Sequence, residues 1–114
     1  MNGKKFPRRG EIYWADLDPT IGTEIQKTRP ALIVSNDDAN EFSNLVMIAP
    51  ITSKIKRVFP FEVKIPLKGK NSKILLNQCR AIDKFRLSGK IGEVDIRTME
   101  AVENAIRIVF GLPS

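Results

Sequence analysis

The chain changes character sharply at Pro30, between a polar, turn-rich segment at residues 18–29 and an apolar, partly β-branched run at residues 30–35. Such a run predicts a buried strand, and proline is tolerated at the first residue of a strand. Because proline disfavours the helical conformation at the preceding residue, Arg29 should stand extended at the mouth of this strand. A long loop that carries Glu24 and Lys27 then lies beside it. This stretch alone leaves two interpretations open: a phosphate-handling site or a surface ion pair.

Further apolar runs predict a small, mainly antiparallel barrel or coiled sheet with one C-terminal helix packed on it. The predicted strands are 11–17, 30–35, 45–51, 61–65, 74–85 and 90–94, with a helical turn at 38–42. Pro50 marks an edge or a bulge, and a slip in apolar phase at Asn77-Gln78 marks a bend. Asp95 should cap the helix, whose apolar stripe comprises Met99, Val102, Ala105, Ile106, Val109 and Phe110. We expect one domain over residues 1–114, in which residues 1–9 form a basic, flexible arm.

Basic residues are concentrated in two parts of a chain whose formal net charge is +6. The first ten residues hold four of them and no acid, and residues 53–73 hold seven against the single acid Glu62. We expect the second group, apart from Lys64 on the predicted strand 61–65, to lie on two basic loops, at 52–60 and 66–73. This distribution favours a phosphate-binding face, although a merely soluble basic protein would show the same net charge.

The absence of histidine and the presence of one cysteine narrow the chemistry that this chain can perform. Histidine-based acid–base catalysis, histidine-dependent triads and the common zinc sites are excluded. No disulfide can form within the chain, which fits a reducing cytoplasm, and we expect Cys79 to be a small buried apolar residue. The N-terminal residues lack a signal-peptide core, and no apolar run is long enough to span a bilayer.

Four motifs in this order resemble the MazF/PemK family of toxins from bacterial toxin–antitoxin modules. They are Gly10-Glu11-Ile12-Tyr13-Trp14-Ala15-Asp16-Leu17-Asp18-Pro19, Gly22-Thr23-Glu24 with Arg29-Pro30-Ala31-Leu32-Ile33-Val34-Ser35-Asn36, Ile48-Ala49-Pro50-Ile51-Thr52-Ser53, and Leu75-Leu76-Asn77-Gln78-Cys79-Arg80-Ala81-Ile82-Asp83-Lys84-Phe85-Arg86-Leu87. The resemblance implies an SH3-like small barrel of the MazF/PemK/CcdB type that forms a homodimer in the cytoplasm. It also implies a sequence-specific endoribonuclease without metal or other cofactor, which cuts single-stranded RNA by attack of a 2′-hydroxyl and is held in check by an acidic antitoxin.

The resemblance assigns catalytic positions to Arg29, Thr52 and Glu24. A guanidinium suits Arg29 to stabilising charge on a phosphorane, whereas a pKa above about 12 makes arginine a poor base. Thr52 could donate a hydrogen bond to phosphate or simply cap a strand–loop junction, and Glu24 is a possible base. We expect the RNA-binding residues to be Lys27, Ser53, Lys54, Lys56, Arg57, Phe59 and Gln78. We assign Trp14 and Tyr13 to the core or a subunit surface.

Two other functions remain compatible with the sequence. A barrel of this kind could poison a protein target without catalysis, as the CcdB toxins do to DNA gyrase, because fold does not fix function. It could also bind RNA without cutting it. Incubation with purified RNA separates the three possibilities.

Overall fold

The computed structural model describes residues 5–17 and 28–113, and these ranges contain seven strands and two α-helices. The predicted site residues Glu24 and Lys27 lie outside the described residues. The strands are β1 (Glu11–Asp16), β2 (Thr28–Ile33), β3 (Leu45–Thr52), β4 (Glu62–Leu67), β5 (Lys70–Leu75), β6 (Arg80–Asp83) and β7 (Leu87–Glu93). The helices are α1 (Asp37–Phe42) and α2 (Ile96–Phe110), and short 3₁₀ turns cover Leu76–Gln78 and Lys84–Arg86.

All the strand pairs are antiparallel and form one curled sheet in the order β4-β5-β3-β2-β1-β7, with β6 pairing to β3. The mainly β fold with a C-terminal helix is therefore confirmed. No helix within the described ranges is long and apolar enough to cross a membrane.

Strand β3 is the centre of the sheet, so the prediction that Pro50 marks an edge is wrong. Pro50 is buried and pairs with Ala31 of β2. On the other side, the ladder to β6 ends at Ile48 and the ladder to β5 begins at Ile51. Pro50 thus lies in the gap between two ladders, where the N–H that proline lacks is not required.

The sheet buries apolar side chains on both faces, which explains the unbroken apolar run of β2. On one face, Leu32, Ile51 and Ile74 pack with Val102 and Ala105 of α2. On the other, Ala31 and Ile33 pack with side chains of β1, β3 and β6. The alternation along β2 sends Ala31 and Leu32 into separate cores.

Asp95 caps helix α2, as predicted. The Asp95 carboxylate accepts a hydrogen bond from the Thr98 N–H at 2.8 Å, and Gly111 ends the helix with φ = 67°. A residue in this left-handed conformation closes many helices, and glycine adopts it without strain. Phe110 was predicted to lie in the apolar stripe, but it is the last residue of the helix and is 61% exposed.

Two predicted loops and one predicted strand are wrong. Residues 66–73 form most of a β-hairpin, in which Lys68 (φ = 50°) and Gly69 (φ = 77°) are the turn. Two positive φ values suit a two-residue hairpin turn, and the lysines of the flanking strands hid the alternation. The predicted strand 74–85 is divided by the 3₁₀ turn Leu76–Gln78, where the apolar phase slips. The gap at 86–89 between the last two predicted strands was expected to be a turn, but the turn lies earlier, at Lys84–Arg86.

Candidate active-site cleft

A cleft of about 590 Å³ opens where β2 begins and β3 ends. Among the described residues that line it, four are basic and none is acidic. They are Trp14, Thr28, Arg29, Pro30, Ile51, Thr52, Ser53, Lys54, Leu67, Lys68, Lys70 and Ser72. An apolar floor with convergent cations and hydroxyls suits a ligand that carries phosphate and flat rings.

The pairing of β2 with β3 brings Arg29 and Thr52 to the same end of the sheet. Ala31 is the register partner of Pro50, so continuing the register by two residues places Arg29 opposite Thr52. Side chains two residues apart along a strand share a face. Arg29 is exposed and Thr52 is half-buried, and both line the cleft. Two residues that the sequence separates by a helix and a strand therefore meet at one site.

The Thr52 hydroxyl has a defined local role. Its Oγ1 accepts a hydrogen bond from the Lys54 N–H at 3.1 Å, which turns the chain from β3 into the following loop. A hydroxyl that accepts one bond still has a proton to donate. The capping interpretation and the phosphate-donor interpretation of Thr52 are therefore compatible.

The loop after β3 places its predicted RNA-binding residues in two groups. Ser53 and Lys54 line the cleft, whereas Lys56, Arg57 and Phe59 lie further along the loop. The Phe59 ring is 40% exposed and stacks on Phe61 at a centroid distance of 5.4 Å. The Arg57 guanidinium lies 5.5 Å from the centre of the Phe59 ring. An exposed, supported ring beside a cation could stack on a nucleotide base.

Gln78 does not line this cleft within the chain. It is exposed at the end of the 3₁₀ turn Leu76–Gln78. Its predicted role in RNA binding stays a prediction.

The lining of the cleft includes Trp14, Lys68 and Lys70, which sequence reasoning did not assign to the site. Trp14 is half-buried and is the register partner of Pro30, so it lies beside the predicted catalytic arginine. The two lysines flank the hairpin turn at Gly69. The excess of basic residues at 53–73 contained the signal for them, but only the strand pairing shows which lysines reach the site.

The pKa values of two side chains are raised. Cys79 is half-buried, where a fully buried residue was predicted, and this burial raises the pKa of its thiol, which disfavours the thiolate at neutral pH. Burial and the hydrogen bond to Glu11 raise the pKa of Tyr13 to about 12, so its phenol stays protonated. In the part of the chain that the structure describes, no three His, Cys, Asp or Glu residues are grouped as metal ligands.

Comparison with known proteins gives matches along nearly the whole chain. Residues 8–110 match the family described as "PemK-like, MazF-like toxin of type II toxin-antitoxin system". The chain is 40% identical over 110 residues to endoribonuclease EndoA of Bacillus subtilis, with 92% of this chain and 95% of that protein covered. It is 41% identical over 110 residues to endoribonuclease MazF of Staphylococcus saprophyticus, with 92% of each covered.

Solved structures agree with these matches. A mycobacterial endoribonuclease in complex with its cognate antitoxin superposes with a TM-score of 0.80 at 28% identity, covering 95% of this chain and 98% of that one. MazF of Deinococcus radiodurans gives a TM-score of 0.80 at 28% identity, covering 96% and 100%.

Proposed function

The chain belongs to the PemK-like, MazF-like toxins of type II toxin–antitoxin systems, and from that membership we propose that this endoribonuclease toxin cuts single-stranded RNA at specific sequences without a metal ion. The observation that carries the proposal is the meeting of Arg29 and Thr52 in one basic cleft. The two relatives described above are named endoribonucleases.

The proposed reaction is an internal transesterification. The ribose 2′-oxygen attacks the adjacent phosphorus, the bond from phosphorus to the 5′-oxygen breaks, and the products are a 2′,3′-cyclic phosphate and a 5′-hydroxyl. The 2′-proton leaves to a base, and the departing 5′-oxygen takes up a proton. Because the nucleophile belongs to the substrate, the protein need only position the phosphate, stabilise its charge and move protons.

Each residue of the cleft has a role suited to its chemistry. Arg29 binds the non-bridging oxygens with two parallel N–H donors as negative charge develops. Thr52 donates a hydrogen bond from its hydroxyl to the same phosphate. Glu24 is the proposed base, because the family resemblance assigns it a catalytic position and a carboxylate can accept the 2′-proton.

Polar and basic residues beside the reaction centre are proposed to hold the RNA backbone. Those that line the cleft itself are Ser53, Lys54, Lys68 and Lys70. The same role is proposed for Lys27, Lys56 and Arg57. Phosphate contacts of this kind give affinity and register, whereas bases are selected by stacking and edge contacts. Phe59 is the proposed stacking surface.

We also propose two protein partners, an antitoxin and a second copy of the chain, which would meet in the cytoplasm. Structures similar to this one include an endoribonuclease with its cognate antitoxin and MazE–MazF complexes. An acidic antitoxin segment would complement the cleft and exclude RNA by occupying it. The second copy would cover the exposed apolar part of β3 at Leu45 and Met47.

Cleavage in a chelator tests the proposed activity. Purified protein should cut a long single-stranded phage RNA in excess EDTA, and the fragments should carry 5′-hydroxyl and cyclic phosphate ends. Loss of cleavage in EDTA with recovery on adding a divalent cation would overturn metal independence. Intact RNA under every condition would favour the non-catalytic alternatives.

A further inference from the structure

The segment between β3 and β4, residues 53–61, lacks regular structure and carries three cations and no acid. Like charges this close repel one another, so the segment should favour an extended, mobile conformation unless something holds it. The structure shows what holds it. We call this segment the basic loop.

One lysine and one glutamate fix the main chain of the basic loop. Lys73 Nζ donates to the Arg57 carbonyl at 2.9 Å and to Glu62 Oε1 at 2.9 Å. The same Glu62 oxygen accepts from the Phe59 N–H at 3.0 Å, and the Glu62 N–H donates to the Phe59 carbonyl at 2.9 Å. The side chains of Lys73 and Glu62 are only 11% and 6% exposed. A lysine is rarely buried to this degree unless it is paired.

The position of Lys73 connects the basic loop to the reaction centre. Lys73 is the register partner of Thr52 across β3 and β5, and side chains of register partners are neighbours on one face. Its ammonium also lies 5.9 Å from the centre of the Phe59 ring. The Lys73 side chain therefore starts on the strand position opposite Thr52 and reaches both the main chain at Arg57 and the ring of Phe59.

This arrangement contributes more to geometry than to stability. A buried ion pair is often no more stabilising than two apolar side chains of similar size. Apolar side chains could fill the same space, but they could neither donate to the Arg57 carbonyl nor accept from the Phe59 N–H. What the ion pair adds is therefore the conformation of the basic loop.

We propose that Lys73 and Glu62 are positioning residues for RNA binding. They hold the basic loop so that its cations and the Phe59 ring continue the binding surface that starts at Thr52. Without them the RNA must order the loop when it binds, and affinity falls while the chemistry at Arg29 is preserved. This inference rests on the proposed function.

The decisive variant replaces both residues, as Lys73→Met with Glu62→Leu, so that neither charge is left unpaired and the net charge is unchanged. Arg9→Met with Glu103→Leu is the matched control, because it removes a second ion pair of 3.0 Å whose residues do not line the cleft. Glu62→Gln is the conservative variant, which keeps an oxygen to accept from the Phe59 N–H.

Two measurements are made on the folded proteins. Amide hydrogen exchange at Phe59 and the rate of tryptic cleavage after Lys54, Lys56 and Arg57 report the loop directly, without RNA. Steady-state cleavage of an RNA oligonucleotide spanning a mapped cut site reports binding and turnover. In the decisive variant we expect exchange and nicking to be about tenfold faster and KM to rise about tenfold, with kcat within about twofold. The control should stay close to the wild type in every measurement. Glu62→Gln should keep exchange and nicking of the loop close to the wild-type rates, because its amide oxygen still accepts from the Phe59 N–H, although the free energy of unfolding falls because Lys73 loses its carboxylate partner.

Each result decides a separate part of the inference. Unchanged exchange and nicking in the decisive variant would show that the ion pair does not hold the loop. A released loop with unchanged KM would show that its order is irrelevant to RNA. If the wild type cuts no RNA, the role in RNA binding fails together with the proposed function, whereas the exchange data still decide whether Lys73 and Glu62 hold the loop. If the decisive variant does not fold, exchange at Phe59 is compared between Glu62→Gln and Lys73→Met alone, since only the second loses the bond to the Arg57 carbonyl. Faster exchange in Lys73→Met would show that Lys73 holds the loop, and equal exchange would show that it does not.

Discussion

Arg29 and Thr52 reach the cleft in different ways. Arg29 stands at the start of β2 with its side chain exposed, so its position depends on the strand direction that Pro30 imposes. Thr52 ends β3, is half-buried and is tied to the Lys54 N–H. A substitution at Arg29 should therefore affect function with little effect on folding, whereas one at Thr52 should affect both.

Replacing Arg29 with lysine tests this separation. Lysine keeps the positive charge but lacks the planar pair of N–H donors that a phosphorane requires. We expect single-turnover cleavage to fall by about 100-fold or more, and the free energy of unfolding to change by less than about 0.5 kcal/mol, because the side chain is exposed. Cleavage is measured beside thermal unfolding followed by circular dichroism.

Lys68→Arg is the matched control, because it alters a cation on the same cleft without changing the net charge. Cleavage by Arg29→Lys at a rate near that of the wild type would remove the guanidinium from the transition state.

Sequence reasoning found residues whose role is indicated by the residues next to them in the chain. Arg29 was found because a proline follows it, and Asp95 because an apolar helical stripe follows it. The Lys73–Glu62 pair was missed because these residues meet only when β5 folds back on β4, eleven positions apart. On sequence alone, Lys73 was one of seven basic residues between positions 53 and 73, at the end of the predicted loop 66–73.

At the scale of elements, the first four strands were predicted to within about two residues of their observed bounds, whereas β5 and its hairpin turn with β4 were not predicted. Its turn carries lysine at one positive-φ position, where asparagine or glycine is expected. The preceding Pro66 also counts against a strand, yet in the structure it pairs with Asn71 near the end of β4, at the edge of the sheet. An edge strand tolerates proline, because no further strand needs its N–H.

The start of β1 provides a prediction about acid stability. Burial raises the pKa of Glu11, but hydrogen bonds from the Arg8 N–H, Lys90 and Tyr13 outweigh it and leave the pKa below 4.5. A carboxyl with a lowered folded-state pKa stabilises the fold above pH 4.5 and loses this effect as the pH falls through the folded-state value. Glu11→Gln should therefore lower Tm by about 2–5 °C at pH 7 and by progressively less below about pH 4.

Thermal unfolding from pH 7 to pH 3 measures this difference, with Glu100→Gln as a control for loss of an exposed acid on α2. A Tm difference for Glu11→Gln that stays constant across the range would contradict the assignment.

Two grooves among the described residues carry opposite charge. The described lining of the active-site cleft has four cations and no acid. A second groove of about 540 Å³, between the start of β1 and the start of α2, has two arginines against five acids. We therefore expect the proposed acidic antitoxin segment to bind at the cleft and not at the second groove. Association that depends on this charge should slow with added salt.

The largest feature that the sequence could not place is the exposed apolar end of β3. Leu45, Met47, Ala49 and Ile51 follow one another on one face of β3. Ala49 and Ile51 are buried in the same core as Val102 and Ala105 of α2, whereas Met47 and Leu45 are 37% and 49% exposed. The sequence predicted the strand, but it could not show which of its apolar side chains the rest of the chain leaves exposed.

This uncovered face predicts where two copies of the chain meet. An apolar strip that continues a core is unfavourable in water, and a second copy would cover both strips at once across a two-fold axis. We expect the wild type to sediment as a dimer at micromolar concentration and Met47→Glu to sediment as a monomer, because the new carboxylate would be desolvated opposite its own symmetry mate. Ile96→Glu is the control, since Ile96 is another exposed apolar residue (80%), on the first turn of α2 and not on β3. A dimer in Met47→Glu, or a monomer in the Ile96→Glu control, would place the interface elsewhere, and a monomeric wild type would remove the second copy from the proposal.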